Sequence, residues 1–123
     1  MRACANRERS RWKIPVLKQD RSLDRAARRH ARAMLEQGFF GHVDPHGRGP
    51  TERVARVSHR RWAVVGENLA AGYADATETC ARWDRDHRTN MLKRGYTHIG
   101  AGYAEGPRGY RRYYVQVFAR LTR

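Results

Sequence analysis

Two alternating segments near the end of the chain constrain the fold most. The residues that share one face are Thr97, Ile99, Ala101 and Tyr103 in the first segment and Tyr113, Val115, Val117 and Ala119 in the second. Alternation with a period of two is typical of a β-strand with one buried face. Residues 105–109 between them contain glycine and proline, which fits a turn. The sequence therefore predicts an antiparallel hairpin late in the chain.

The clearest helix is predicted between residues 20 and 38. Asp20 or Ser22 can cap its start, and Gly38 can end it. Residues at helical spacing form one stripe between these ends, namely Leu23, Ala26, Ala27, His30, Met34 and Leu35. His30 therefore faces inward, and we expect a core histidine there rather than a ligand.

Shorter elements flank this helix. Residues 3–12 are predicted to form a helix, and residues 14–17 an extended segment, because the residue before a proline avoids helical angles. Residues 39–50 are rich in glycine and proline and are predicted to form an ordered loop. A short helix is expected over residues 51–57 and a brief extended piece over residues 64–69.

Another helix is expected after residue 75. Asp75 and Glu78 resemble a capping box, and the residues that follow at helical spacing are Ala76, Cys80, Trp83 and His87. We expect a single helix to carry all four. Helices early in the chain and hairpin-connected strands late in it are typical of an α+β fold with an antiparallel sheet.

Length indicates one domain over residues 1–123, since 123 residues are enough for a single core. No stretch approaches the roughly 18 apolar residues of a membrane helix, so we expect no transmembrane segment. The first 20 residues lack the apolar core of a secretory signal, so no signal peptide is expected in this chain. Cys4 and Cys80 can form one disulfide, which would require an oxidising compartment, or stay free.

The chain is strongly basic. It has 26 Lys and Arg residues against 12 Asp and Glu, a formal charge of +14, and only three of the basic residues are Lys. Arginine suits phosphate and carboxylate partners, so nonspecific nucleic-acid binding and a basic surface resting on an anionic cell envelope are both open. The chain has no recognised nucleic-acid-binding motif, and we expect no specific nucleic-acid partner.

The polar groups that could carry chemistry lie in three segments. They are His42, Glu67, His87 and a carboxylate just before it, Asp84 or Asp86. Two imidazoles with a carboxylate can hold Zn²⁺ or another divalent cation, or can activate a water molecule by general base action. The local motifs of zinc proteases, α/β-hydrolases and P-loop proteins are absent from the sequence.

Six segments resemble one protein family when they are taken in order. They are H-A-R-A-M (30–34), F-F-G-H-V-D-P-H-G-R-G-P (39–50), V-G-E-N-L-A (65–70), H-R-T-N-M-L (87–92), G-Y-T-H-I-G-A-G-Y-A (95–104) and Y-Y-V-Q-V-F (113–118). Together they resemble the bacterial branch of the CAP superfamily of cysteine-rich secretory, antigen 5 and pathogenesis-related proteins. This resemblance implies an α-β-α sandwich, with a small antiparallel sheet between helical layers and a groove that exposes two histidines and two acids.

The resemblance also implies the groove residues. The matching positions are His42, Glu67 and His87, with His42 and His87 as the candidate metal ligands. The second acid is Asp86 when it is counted from the helix tryptophan, and Asp84 when it is counted back from His87.

Three further residues are candidates for lining the groove, namely Asn68, Asn90 and Gln116, although hydrogen bonding within the fold is the simpler interpretation of each. The favoured function is a secreted or cell-envelope module that binds a lipid, a glycan or an anionic polymer. The alternative is a hydrolase in which the two histidines and Glu67 activate water, directly or through a metal.

Overall fold

The computed structural model of the chain describes residues 1–122. Its helices are α1 (Arg2–Arg11), α2 (Arg21–Gln37), α3 (Pro50–Ala55), α4 (Ala76–Arg82) and α5 (Arg85–Leu92). Its strands are β1 (Lys18–Gln19), β2 (Trp62–Ala71), β3 (His98–Glu105) and β4 (Arg112–Leu121), in the sheet order β1-β3-β4-β2. Within the described residues, no helix is both long and apolar enough to cross a lipid bilayer.

Helix α2 begins and ends where its local signals predict. The Asp20 side chain accepts a hydrogen bond from the backbone N–H of Leu23 at 3.0 Å, which caps the start. Gly38 adopts a left-handed conformation with φ of 70° and ends the helix. The buried face contains the predicted stripe, including His30, although Leu35 is only partly buried.

The predicted hairpin is confirmed, since β3 pairs antiparallel with β4. β2 is longer than the extended piece expected over residues 64–69 and forms the other antiparallel neighbour of β4. The local sequence did not predict a strand after residues 14–17. Lys18 and Gln19 form a two-residue strand that pairs parallel with the start of β3.

Strand β4 is buried on both faces and separates two cores. One core lies under α2 and α3 and takes the side chains of Tyr113, Val115, Val117 and Ala119. The other lies under α1, α4 and α5 and takes those of Tyr114 and Phe118. A sheet covered by helices on both faces is a three-layer arrangement, so the α-β-α sandwich is confirmed.

The single helix expected across residues 76–87 is wrong. Trp83 is extended, with φ of −63° and ψ of 134°, and it ends α4. Asp84 then begins α5, because its side chain accepts hydrogen bonds from the backbone N–H groups of Asp86 and His87. The spacing of four, three and four residues persists across this break, which is why it resembled one helix. His87 therefore lies in the first turn of α5, not at the end of a longer helix.

Cys4 and Cys80 form a disulfide, the choice that the sequence left open. Their Cα atoms lie 5.9 Å apart, and the bridge joins α1 to α4 across 76 residues of chain. The bond therefore fixes the N-terminal helix to the layer that also contains α5.

Helix α2 lies directly over β3 at Gly102. A Cβ atom added there would collide with backbone atoms of Ala27 and Arg28, which move only if the helix moves. We expect Gly102→Ala to lower the free energy of unfolding by about 1–3 kcal/mol, measured by urea denaturation.

Gly95→Ala is the control for this substitution, because the added Cβ would meet only a flexible Lys93 methylene, at 3.9 Å. Its stability should stay within about 0.5 kcal/mol of the unsubstituted protein. If Gly102→Ala changed the free energy of unfolding as little as Gly95→Ala, the result would contradict the close contact between α2 and β3.

Candidate functional site

The first part of the site is a hydrogen-bonded cluster of His42, Arg53 and Glu67. The Glu67 side chain is only 1% exposed. Arg53 donates to both of its carboxylate oxygens, from Nη1 at 2.8 Å and from Nη2 at 3.0 Å. Nη2 also donates to the backbone oxygen of His42 at 2.6 Å, while the Nδ1 atom of His42 lies 2.8 Å from Oε1 of Glu67. Three segments are joined by one buried carboxylate, namely the loop 39–49, α3 and β2.

Glu67 is ionised at neutral pH in this cluster. Burial raises its pKa, but the hydrogen bonds from His42 and Arg53 outweigh burial and hold the pKa of Glu67 below its usual value. An ionised carboxylate requires a proton on Nδ1 of His42, so in the neutral ring Nε2 carries a lone pair. The side chain of His42 is 57% exposed. The exposed ring of His42 can therefore accept a hydrogen bond from a ligand at Nε2, or take a proton from a ligand there.

Glu67 makes stability depend on pH in a defined direction. Because its pKa is lower in the folded than in the unfolded chain, the ionised side chain stabilises the fold fully above the ordinary value of 4.5. That contribution is lost as the pH falls through the folded-state pKa. We expect Glu67→Gln to lower the free energy of unfolding by about 2 kcal/mol at pH 7, with a smaller difference as the pH falls below 4.5.

Urea denaturation at several pH values between about 7 and 3 measures this difference. Glu36→Gln is the control, since Glu36 is exposed, and its effect should stay below about 0.5 kcal/mol. A Glu67→Gln deficit that remained constant over the whole range would contradict the assigned ionisation.

The second part of the site is the ring of His87. Its Nδ1 atom lies 2.8 Å from Oδ1 of Asp84, and its Nε2 atom lies 3.1 Å from the backbone oxygen of Leu69. The ring stacks on the buried indole of Trp83, with centroids 5.3 Å apart and planes at 9°. Carboxylate and carbonyl oxygens only accept, so both contacts are hydrogen bonds at once only when both ring nitrogens carry protons.

The geometry distinguishes the two candidate acids. Asp84 contacts the ring of His87, and that hydrogen bond holds the pKa of Asp84 below its usual value. The side chain of Asp86 is exposed, and within residues 1–122 it makes no hydrogen bond or ion pair. Asp84 is thus the acid that the structure pairs with His87.

Helix α5 covers the free edge of β2. The backbone oxygen of Leu69 accepts hydrogen bonds from Trp83 and His87, and that of Glu67 accepts one from Asn90 at 3.2 Å. An edge strand presents carbonyl groups that no neighbouring strand pairs with, and these side chains donate hydrogen bonds to two of them. The two histidine clusters are therefore attached to the same strand, one through the Glu67 side chain and one through the Leu69 carbonyl.

The three amide candidates form a network behind this edge. Asn90 donates to Asn68 at 2.8 Å, Asn68 donates to Gln116 at 3.1 Å, and Gln116 donates to the backbone oxygen of Met1 at 2.8 Å. Asn68 is 2% and Gln116 is 0% exposed. The structure thus places these two side chains inside the fold, where they join α5 and the N-terminus to the sheet.

The side chains as placed do not fit a metal centre. Within residues 1–122, no group of three or more His, Cys, Asp or Glu side chains is arranged to hold a metal ion. Both ring nitrogens of His87 face oxygen acceptors, and both carboxylate oxygens of Glu67 accept from Arg53. The electron pairs of His87 and Glu67 are thus largely engaged in hydrogen bonds, and Nε2 of His42 by itself does not make a metal centre.

Sequence reasoning missed Arg53. A buried glutamate needs a positive partner, so Glu67 on a strand was a signal that such a residue exists. With more than twenty arginines in the chain, that signal could not identify which one. The stacking of Trp83 on His87 was also missed, because it requires the break between α4 and α5.

Comparison with known proteins agrees with this architecture. The model of the CAP family, described as the cysteine-rich secretory protein family, matches residues 3–118. The protein YkwD of Bacillus subtilis (strain 168) is 31% identical over 104 residues, which cover 81% of this chain and 39% of YkwD. An extracellular protein containing a SCP domain from Bacillus anthracis has a crystal structure that matches with a TM-score of 0.82, at 29% identity over 94% of this chain and 37% of that chain.

Likeness of fold extends further than likeness of sequence. An outer surface protein from Borrelia burgdorferi matches with a TM-score of 0.88 at 17% identity, over 98% of this chain and 90% of that chain. The present chain spans less than half the length of YkwD and of the Bacillus anthracis protein. The six sequence segments, the three-layer fold and these matches lead to one conclusion: the chain belongs to the CAP, or cysteine-rich secretory protein, family.

Proposed function

We propose that this CAP domain is an extracellular or cell-envelope module that binds an anionic ligand, such as an acidic glycan or another anionic polymer. The observation that carries the proposal is the solvent face of α2. Five exposed arginines lie there, a set called the α2 arginine row: Arg21, Arg25, Arg28, Arg29 and Arg32. At 100° per residue they share one face, and they extend for about 16 Å along the helix.

This row stays without anionic partners inside the described fold. Within residues 1–122, only Arg11, Arg53, Arg60 and Arg112 lie within ion-pair distance of a carboxylate. Like charges three or four residues apart on a helix repel each other and destabilise it. A polymer with regularly spaced negative groups would relieve that repulsion, which supports an anionic partner.

The setting outside the cytoplasm has separate support. The disulfide between Cys4 and Cys80 persists in oxidising compartments and is reduced in most cytosols. The matching Bacillus anthracis protein is an extracellular one. A basic surface facing an anionic envelope is consistent with both observations.

Binding to dextran sulfate, with neutral dextran as control, tests the proposal. We expect saturable binding to dextran sulfate that weakens with salt, and none to dextran. The variant Arg21→Gln/Arg25→Gln/Arg28→Gln/Arg32→Gln should bind at least about tenfold more weakly, because it loses four charges from one row.

The control variant loses the same charge elsewhere: Arg82→Gln/Arg85→Gln/Arg88→Gln/Arg94→Gln, all at exposed positions. It should keep most of the affinity. If both variants lost affinity equally, net charge alone would explain binding and the proposed role of α2 would be wrong. Random duplex DNA, tested over the same salt series, separates the nucleic-acid alternative from a polymer ligand.

One observation favours a hydrolase as the second candidate. His42 is oriented by a buried carboxylate and its side chain is 57% exposed, which is how a histidine general base is held. Turnover of chromogenic esters and glycosides by the protein, by His42→Asn and by Glu67→Gln tests this candidate. A true activity should fall at least about 100-fold in His42→Asn, whereas a rate equal in all three proteins excludes catalysis by this pair.

A further inference from the structure

The outer edge of β3 is only partly covered by β1. Strand β1 pairs with the first two residues of β3 and ends there. The backbone N–H of Asp20 donates to the carbonyl of Ile99 on this edge, while the N–H of Gly106 donates to Arg111 on the β4 side. Main-chain groups alternate between the two sides of a strand, so the odd-numbered residues of β3 face the outer edge. Beyond β1, residues 101–105 have no neighbouring strand on that edge.

The main-chain groups of this free stretch lack partners after the N–H of Ala101. That N–H donates to the Asp24 carboxylate at 2.9 Å. Within residues 1–122, the carbonyl of Ala101 and both main-chain polar groups of Tyr103 have no hydrogen-bond partner. Tyr103 is also 45% exposed, so a ligand can reach it. An unpaired edge of this kind is a template for one more extended chain.

A cavity of about 490 Å³ opens along the same stretch of edge. The sheet contributes Tyr103 and Tyr114 to its lining, and Met1 and residues 74–76 line it at the starts of α1 and α4. Gly102 lines it as well, and because glycine has no side chain, the cavity reaches the main chain of β3. The free edge and a largely apolar cavity therefore lie side by side.

A second cavity, of about 390 Å³, continues along the edge from Ala101 to Gln19, the last residue of β1. Met1, Arg28 and Ala101 line both cavities, so the two form one groove beside β3, which we call the β3 groove. The start of this edge already holds an extended segment, β1, and the groove continues that pairing. The unpaired groups recur at every second residue, about 7 Å apart, which is the repeat of an extended main chain.

We infer that the β3 groove binds an extended peptide segment of a partner protein, which adds a strand to the sheet at residues 101–105. Main-chain hydrogen bonds to β3 provide the affinity in this mode, and pockets for alternate side chains provide the specificity. One side chain of the added strand enters the 490 Å³ cavity, and the next lies on the α2 face of the sheet. The lining by methionine, alanine and tyrosine suits an apolar side chain such as leucine.

Arg28 indicates which residue should neighbour the apolar one. It lies on α2 over Gly102 and lines both cavities, and within residues 1–122 it has no ion-pair partner. An acidic residue next to the apolar one would lie on that face. The partner segment therefore alternates apolar and acidic residues. This inference goes beyond the proposed anion binding, because main-chain groups and an apolar cavity carry it, not the α2 arginine row.

Fluorescence anisotropy of the peptide fluorescein-T-V-D-L-D-V-T-amide, titrated with the full chain, tests the inference. Two modified peptides carry backbone N-methyl groups, one on its three apolar residues and the other on its two aspartates. Only one of these sets has its N–H groups towards β3, and methylation of that set should weaken binding at least about tenfold. Methylation of the other set should change binding less than about threefold. Equal effects of the two sets, or no saturable binding of the parent peptide, would overturn the inference.

A matched pair of variants locates the site. Tyr103→Pro and Tyr103→Ala lose the same side chain, but only proline also removes the N–H that faces the groove. Tyr103→Pro should bind the peptide at least about tenfold more weakly than Tyr103→Ala, and equal affinities in the two folded variants would overturn the inference. Circular dichroism checks folding, and the N-methyl comparison on the unsubstituted protein decides the question if the proline variant unfolds.

A third variant separates peptide binding from the α2 arginine row. Arg21→Gln/Arg25→Gln/Arg32→Gln keeps Arg28 and removes three charges that lie outside the β3 groove. It should lose affinity for dextran sulfate but change peptide affinity less than about threefold. A tenfold loss of peptide affinity would show that the peptide binds only as an anion and would overturn the inference. If dextran sulfate fails to bind while the peptide binds, the anion proposal fails alone.

Discussion

Arg9→Met is expected to lower the free energy of unfolding by about 4 kcal/mol, the largest effect of any substitution of a single charged residue in this chain. Arg9 is only 1% exposed, although it is a cation. It donates to four backbone oxygens, those of Pro15 (2.7 Å), Met91 (3.0 Å), Lys93 (2.9 Å) and Tyr96 (3.3 Å). Methionine fills similar space but would leave all four acceptors without that donor.

The position of Arg9 explains why its charge is tolerated. Met91 is in the last turn of α5, where carbonyl groups lack helical partners and the helix dipole is negative. Arg9 therefore caps α5 from α1 and stabilises the helix that carries His87. Burial lowers the pKa of the guanidinium, because desolvation disfavours its charged form.

Arg11→Met provides the control, since Arg11 lies on the same helix with a side chain 71% exposed and only a 3.9 Å contact to Glu8. It should change stability by less than about 0.5 kcal/mol. Urea denaturation measures both variants, and Arg9→Met should also lower Tm by more than about 10 °C. A loss below about 1 kcal/mol would show that these four hydrogen bonds do not hold the helices together.

Loss of the disulfide is expected to have an effect of similar size. The variant Cys4→Ala/Cys80→Ala should lose about 4 kcal/mol of unfolding free energy, because the bridge closes a loop of 76 residues and restricts the unfolded chain. Guanidinium denaturation of the variant and of the oxidised and reduced parent protein measures the loss.

Reduction gives an internal control for this prediction. The parent protein in a phosphine reductant should approach the stability of the double variant, and the reductant should leave the variant unchanged. If the oxidised protein and the variant differed by less than about 1 kcal/mol, the bridge would not be an important part of the stability of this small domain, and it would be weaker support for an oxidising location.

Local signals were enough to predict the elements whose limits depend on nearby residues. Asp20 and Gly38 fix the ends of α2 through one cap hydrogen bond and one left-handed turn. Alternation predicted β3 and β4 as strands, but β4 is buried on both faces rather than one, because helices cover both sides of the sheet. The two-residue pairing of β1 with β3 was not predictable, because it depends on where Thr97 and Ile99 lie in space.

The sequence proposed candidate residues for the site but did not predict the contacts between them. His42, Glu67 and His87 were identified from the family resemblance, and the structure shows what holds each of them. The choice between Asp84 and Asp86 depended on whether the second acid was counted from the helix tryptophan or back from His87. Asp84 is itself a helix-capping residue, so the break carried a local signal that the apolar spacing obscured.

The α2 arginine row follows from the same periodicity that predicts the core. The residues of α2 that face the sheet are apolar apart from Asp24 and His30, and those that face solvent are mostly arginine. Arginines occur from one end of the sequence to the other, so their positions in the sequence do not by themselves indicate a patch. Only the helix geometry shows that five of them share one face, next to a cavity lined by further arginines.

The most direct test of the central claim, that α2 presents an anion-binding surface, is a map of amide chemical-shift changes during titration with a short dextran sulfate. We expect the largest changes on the amides of residues 21–32, which carry the α2 arginine row, and small changes on those of α5. Changes that are largest on α5, or that are uniform over all basic residues, would contradict it.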